Sequence, residues 1–175
     1  MTPPIQATGS SDPGEPAMVH LAHKQPFGSE LDEVNRLIES AIDTWDLPAR
    51  VKRLALPSYR YGEHDVEFLD FAMAYTVDER LVGVAAWESC HCDDCPAGQT
   101  GLSLHGLYVR PGTHRQGVGT RLVDAVLAAT RNHGGQWVLV KAQHGAIGFF
   151  TRQGFRPLPD AAGAGHYAHR LWRAA

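Results

Sequence analysis

Arg115, Gly117 and Gly119 stand directly ahead of a run in which Val118, Leu122, Val123, Val126 and Leu127 recur at helical spacing. That combination builds an anion site. The first turn of a helix carries N–H groups with no partner inside the helix, and the aligned peptide dipoles add partial positive charge there. Glycines let an anion reach the backbone with no Cβ in the way. Arg115 adds a forked, permanently charged donor. A phosphate-bearing ligand is the natural occupant. Particular residues exclude two familiar phosphate loops. Gly112 and Gly117 have the glycine spacing of a P-loop, but Val118 and Gly119 stand where Lys and Ser or Thr belong. Gly117-Val118-Gly119 begins a dinucleotide fingerprint, but Leu122 takes the place of its third glycine.

The segment His114-Arg115-Gln116-Gly117-Val118-Gly119 resembles the cofactor loop of the GNAT superfamily of acyl-CoA-dependent N-acyltransferases. That loop reads Gln/Arg-x-x-Gly-x-Gly/Ala, and His114 departs from its first residue. Leu107-Tyr108-Val109-Arg110-Pro111 is similar to the splayed strand that leads into it. A second block from Gln143 to Phe155 resembles the family's Asn-x-x-Ala-x-x-Phe-Tyr-x-x-x-Gly-Phe, with Ala146, Phe149, Phe150, Gly154 and Phe155 in register. The resemblance covers residues 17–173 and is closest over 102–158. It implies a GNAT-like α/β fold, a mixed central sheet flanked by helices, with acetyl-CoA as co-substrate. The pantetheine arm would pair with the backbone of Leu107 and Val109. The pyrophosphate would lie on Arg115, Gln116, Gly117, Val118, Gly119 and Thr120, with Gln143, Phe149, Phe150 and Arg152 completing the cofactor site. The implied reaction is acetyl transfer to a primary amine by direct attack in a ternary complex. Another acyl donor, a hydroxyl acceptor, or a non-catalytic acyl-CoA sensor are the alternatives. Homodimers are common in such families.

Such a transfer needs an oriented donor, an amine relieved of a proton, and a stabilised or protonated leaving thiolate. The stretch Leu104-His105-Gly106-Leu107-Tyr108-Val109 is similar to the strand of serotonin N-acetyltransferases, where a histidine takes the proton. His105 is therefore the candidate base, an imidazole being suited to neutral-pH proton transfer. Alternation along a strand would turn His105 and Leu107 to the same face. Glu63, Glu67 and Glu88 are competing bases. The family commonly protonates the thiolate with a tyrosine, but Phe150 stands there, leaving Tyr108 or Tyr167 to substitute, or water. For the acceptor, Trp45, Tyr59 and Tyr61 offer aromatic faces, and Asp43 and Asp46 could attract a cationic amine.

The elements that must position these residues follow from the pattern. Leu102, Leu104, Gly106-Leu107 and Val109 alternate as a strand, and the helix after Gly117 ends at Gly134-Gly135. Upstream, Met18–Gln25 reads as a first strand. Ser29 reads as an N-cap ahead of a helix through Leu31, Val34, Leu37, Ile38, Ala41, Ile42 and Trp45. Pro48 opens a second helix with Val51, Leu54 and Ala55 inward. Val66–Thr76 and Leu81–Trp87 read as a hairpin. Downstream, Gln136–Lys141 reads as a strand, Ala146–Arg152 as a helix stopped by Gly154, and His166–Trp172 as a closing strand. Residues 1–16 read as a disordered leader and 17–175 as a single domain.

Composition sets the outer bounds. Hydrophobic residues at 43% and charged residues at 20% are those of a globular protein. Sixteen basic against nineteen acidic residues give −3, which points to neither nucleic acid nor an anionic membrane. The expected partner is a small-molecule or peptide amine. With no apolar run near the ~20 residues needed to span a bilayer and no signal-like start, a cytoplasmic location is expected. Cys90, Cys92 and Cys95 crowd with His91 into one short segment, whereas zinc sites draw ligand pairs from separate segments. A polar loop and no bound metal are expected.

Overall fold

The computed structural model describes residues 18–90, 99–158 and 169–175. The expected leader, His91, Cys92, Cys95, Tyr167 and the start of the expected closing strand lie outside them. Strand β1 (Val19–His23) is followed by helices α1 (Ser29–Asp43), α2 (Ala49–Ala55) and α3 (Glu63–Phe68). Strands β2 (Asp70–Thr76), β3 (Leu81–Cys90) and β4 (Gly101–Val109) lead to α4 (Val118–Asn132). Strand β5 (Trp137–Lys141), α5 (Ile147–Arg152), β6 (Arg156–Pro157) and β7 (Arg170–Ala174) complete the order. The sheet runs β1-β2-β3-β4-β5-β7-β6, and among the described residues only the β4–β5 pair is parallel. This is the expected mixed sheet flanked by helices.

The two long helices cover opposite faces, each through an apolar stripe. On one face α1 buries Leu31, Val34, Leu37, Ile38, Ala41 and Ile42 against Phe71, Met73, Val84, Ala86 and Tyr108. On the other, α4 sets Val118, Leu122, Val123, Val126 and Leu127 against Trp87, Leu102, Leu104, Val138 and Val140. The second cluster reaches strands on both sides of the parallel pair, so α4 is the brace that spans the sheet's centre.

Four expectations are corrected. Helix α1 is capped by Gly28 at φ 55, not by Ser29, which is its first residue; no side chain caps it. The glycine makes the turn that Ser29 was expected to close. Val66–Phe68 is helical, because the Asp65 carboxylate accepts the Gly62 N–H at 2.7 Å and holds the start of α3. Short apolar runs do not separate strand from helix by pattern alone. Helix α2 buries none of its residues; Val51 and Leu54 are 44% and 69% exposed. Its periodicity buries no face, and a tie from Lys52 Nζ to the Asp43 carbonyl holds it to the end of α1 (2.7 Å). The fourth correction is the parity of β4. Ala86 faces Gly106 but Trp87 faces Leu104, so His105 is an extra residue, a β-bulge. Leu102 and Leu104 lie on the α4 face, and past the bulge Leu107 packs there as well. His105 instead meets Glu88, whose neighbour Trp87 occupies the α4 face, so the imidazole is on the α1 face. His105 and Leu107 therefore do not share a face.

The contrast between α1 and α2 is testable by denaturant unfolding. Leu37→Ala should cost about 2–5 kcal/mol, whereas Leu54→Ser should change stability by no more than about 0.5 kcal/mol. Equal losses would contradict the assignment of α2 as a helix with no buried face.

Candidate active site

Strands β4 and β5 pair only from Gly101↔Trp137 to Leu104↔Val140. Beyond that point β4 continues to Val109, paired to β3 alone, and a wedge opens between β4 and β5. The N–H of Arg110 donates to the Val82 carbonyl at 2.8 Å, which fixes the side of β4 that faces β3. Peptide groups alternate along an antiparallel edge, so those of Leu107 and Val109 point away from β3, into the wedge. The His114 ring reaches the Val109 carbonyl (Nε2 at 3.2 Å). No strand among the described residues covers the remainder of this edge.

The loop beyond β4 is built by its glycines and by one strained residue. Gly112 (φ 88), Arg115 (φ 65) and Gly117 (φ 79) are all left-handed. Gly117 caps α4, and the first bond within the helix is Arg121 N–H to the Gly117 carbonyl, at 3.0 Å. The N–H groups of Val118, Gly119 and Thr120 are thus the unpartnered ones of the first turn. A Cβ on Gly112 or Gly117 would meet nothing within 4 Å, so the space above this loop is open. Gly119 is different: a Cβ there would lie 3.1 Å from the Phe149 ring. Gln153 Nε2 donates to Thr120 Oγ1 at 3.1 Å, which ties the end of α5 to the start of α4. Arg115 and Arg152 are exposed. The Val118 side chain is in the core, so only its backbone faces the loop. Phe150 is also a core ring, stacked edge-on between Phe149 and Phe155 at 5.1 and 5.3 Å.

On the α1 face stands a group of aromatic side chains, Trp45 from beyond α1 and Tyr59 and Tyr61 from beyond α2. Tyr61 is pinned through its backbone by the buried Asn35. The Asn35 amide donates to the Tyr61 carbonyl at 2.8 Å and accepts the Tyr61 N–H at 2.9 Å. The Tyr61 ring lies edge-on to Phe71 at 5.2 Å, and Trp45 does the same to Tyr59 at 5.2 Å. Gly106 leaves room for this arrangement. A Cβ there would come within 2.5 Å of the Tyr108 ring and 2.6 Å of the Tyr61 hydroxyl. The Tyr59 hydroxyl accepts a hydrogen bond from the Gln143 amide, so a side chain from beyond β5 meets this group. Burial pushes the Tyr61 phenol up, with Tyr108 and Asp65 adding to the effect. Burial and then Tyr59 do the same for Tyr108. Both phenols hold their protons at neutral pH.

The candidate base sits beside them on β4. His105 Nε2 is 2.7 Å from Glu88 Oε1, with the two side chains 41% and 42% exposed. Of the competing carboxylates, Glu67 faces His64 at 3.6 Å, both side chains exposed on α3, and Glu63 lies in that helix's first turn. Leu107, Val109, Val118 and Phe149 pack in one cluster on the α4 face, and Phe149 and Val109 both approach Gly119. His105, Tyr59, Tyr61, Tyr108 and Gln143 gather toward the α1 side. Asp43 gives its carbonyl to Lys52. Sequence reasoning missed Asn35 and the pairing of His105 with Glu88. Asn35 had a legible signal, a polar residue on the apolar stripe between Leu31 and Ile38. Among the described residues no group of three potential ligands could hold a metal ion, and no helix is long and apolar enough to cross a membrane.

The model of the acetyltransferase (GNAT) domain matches residues 67–166, more than half of the chain. No curated protein matches. Many solved structures do. An acetyltransferase of the GNAT family from Staphylococcus aureus Mu50 superposes with a TM-score of 0.65 at 13% identity, covering 89% of this chain and 98% of that one. The PaiA N-acetyltransferase of Thermoplasma acidophilum, in complex with coenzyme A, gives 0.69 at 10% identity over 89% and 99%. A KacTA–DNA complex gives 0.56 at 20% identity over 89% and 93%. These likenesses concern the fold alone. The chain belongs to the GNAT acetyltransferase family. The DNA-bound neighbour means that fold alone does not exclude a nucleic-acid partner.

The Asn35 bracket yields a prediction. Asn35→Ala strips partners from both backbone groups of Tyr61 and should cost about 1–3 kcal/mol, with faster hydrogen exchange at the Tyr61 amide. An unchanged exchange rate would contradict the bracket.

Proposed function

We propose that this chain moves an acetyl group from acetyl-CoA to a primary amine by direct attack in a ternary complex. One observation carries the reading: Leu107 and Val109 turn their peptide groups into a gap that leads to the glycine-bearing start of α4. An unpaired strand edge binds an extended, amide-bearing chain by adding it as a further strand. The pantetheine arm of acetyl-CoA is such a chain. Its pyrophosphate then comes to the N–H groups of Val118, Gly119 and Thr120, with Arg115 and Gln116 beside it. Gln143, Phe149 and Arg152 complete the cofactor wall, and Phe150 supports it from the core.

With the arm held in this way, N–H groups in the wedge polarise the thioester carbonyl. His105 takes the proton of the attacking amine, whose approach is flanked by Trp45, Tyr59 and Tyr61. The Tyr108 phenol, kept protonated by burial, supplies the proton that Phe150 has none of. The buried Phe150 also favours a second reading, an acyl-CoA sensor without turnover. Release of CoA thiol in the presence of amines separates the two.

Gly117→Glu tests the cofactor assignment. A non-glycine residue at φ 79 costs about 1–2 kcal/mol, too little to unfold the domain. The carboxylate it adds would repel the pyrophosphate. Calorimetry should find acetyl-CoA binding abolished in a folded variant, and unchanged affinity would overturn the assignment.

A further inference from the structure

The extra residue in β4 does more than bend the strand. Glu88 on β3 lies directly opposite Ser103, and the bulge brings the next residue on that face, His105, to the same carboxylate. The Nε2–Oε1 distance of 2.7 Å is that of a charge-assisted hydrogen bond. A half-exposed pair of this kind adds little to stability, so folding gives little reason for it. The geometry points to Glu88 as the positioning residue of His105. This inference rests on the acyl-transfer reading above.

The chemistry follows from what each atom can do. An ionised carboxylate only accepts hydrogen bonds, so the ring nitrogen 2.7 Å from Glu88 must carry the proton. In the neutral imidazole Nδ1 is then the bare nitrogen, the one able to accept a proton. During transfer the amine nitrogen bonds to the thioester carbon, and the C–S bond breaks with its electron pair leaving on sulfur. The surplus proton of that nitrogen passes to Nδ1. The imidazolium so formed faces the carboxylate that already holds its other nitrogen, which offsets the new charge. Without Glu88 the ring would exchange tautomers and turn, and only a fraction of molecules would present a bare nitrogen correctly. Glu88 touches no reacting atom; its whole effect passes through His105.

Two measurements test this. Nitrogen-15 spectra of the His105 ring in the free protein should show one tautomer, protonated at Nε2. Glu88→Ala should give a mixture, and Glu88→Gln, whose amide oxygen still accepts, should keep the single form. With acetyl-CoA and spermidine, tyramine or a lysine-containing peptide, His105→Gln should lower kcat about 10²–10⁴-fold. Glu88→Ala should lower kcat about 10- to 100-fold, the worth of one hydrogen bond to a charged group, with the KM for acetyl-CoA unchanged. Glu88→Gln should recover part of that loss, and adding Glu88→Ala to His105→Gln should cost nothing further. An unchanged tautomer in Glu88→Ala, or losses that multiply fully in the double variant, would overturn the role of Glu88. If the parent released no CoA thiol with any amine, the acyl-transfer reading would fall instead, while the spectra would still decide the pairing.

Discussion

The parallel pairing of β4 with β5 stops at Leu104↔Val140, and the remaining architecture accommodates that stop. A sheet that loses hydrogen bonds at its centre exposes peptide groups, and a buried one left unpaired costs about 1–3 kcal/mol. Two features keep the opening from spreading. On one face α4 lies across both halves of the sheet, with Leu122 and Val126 packed among residues of β4 and β5. On the other, the hydrogen bond from Gln143 to Tyr59 joins the segment beyond β5 to the aromatic group over β4. The wedge is thus bridged by packing on one face and by side chains on the other.

The bulge at His105 links this opening to the chemistry proposed for it. It bends β4 and flips the parity of the strand. Leu107 and Val109 consequently pack on the α4 face while Tyr108 points to the α1 face. The same extra residue brings the imidazole to Glu88. Beyond β4, Arg115 adopts a left-handed conformation at φ 65. A non-glycine residue there costs about 1–2 kcal/mol. Such strain persists at sites where the loop's shape is itself used.

What the sequence made legible was local. The loop from His114 to Gly119 could be read because glycine spacing and helical periodicity are both properties of neighbouring residues. For the same reason α1 and α4 were readable from their stripes, and the family from two short blocks. What was not legible depends on partners distant in the chain. The bulge is defined by which residue of β3 faces which residue of β4, although Gly106 and Leu107 standing together on an apolar run hinted at it. Val51 and Leu54 had a helical pattern, but nothing local reveals that α2 buries none of its residues. Asn35 looked like an interruption of a stripe until Tyr61, from a later segment, was seen to complete its amide. Alternation alone turned His105 toward the wrong face, because one inserted residue reverses the parity of all that follows.

The central claim, that the unpaired edge of β4 receives the acyl-CoA arm, is tested most directly at the backbone itself. Amide hydrogen exchange should be followed residue by residue along β4, with and without saturating acetyl-CoA. The N–H groups of Leu107 and Val109 should exchange readily in the free protein and slow markedly once the arm pairs with them. That of Tyr108, which faces β3 by alternation, should be protected in both states. Binding of acetyl-CoA that left Leu107 and Val109 exchanging as before would contradict the account.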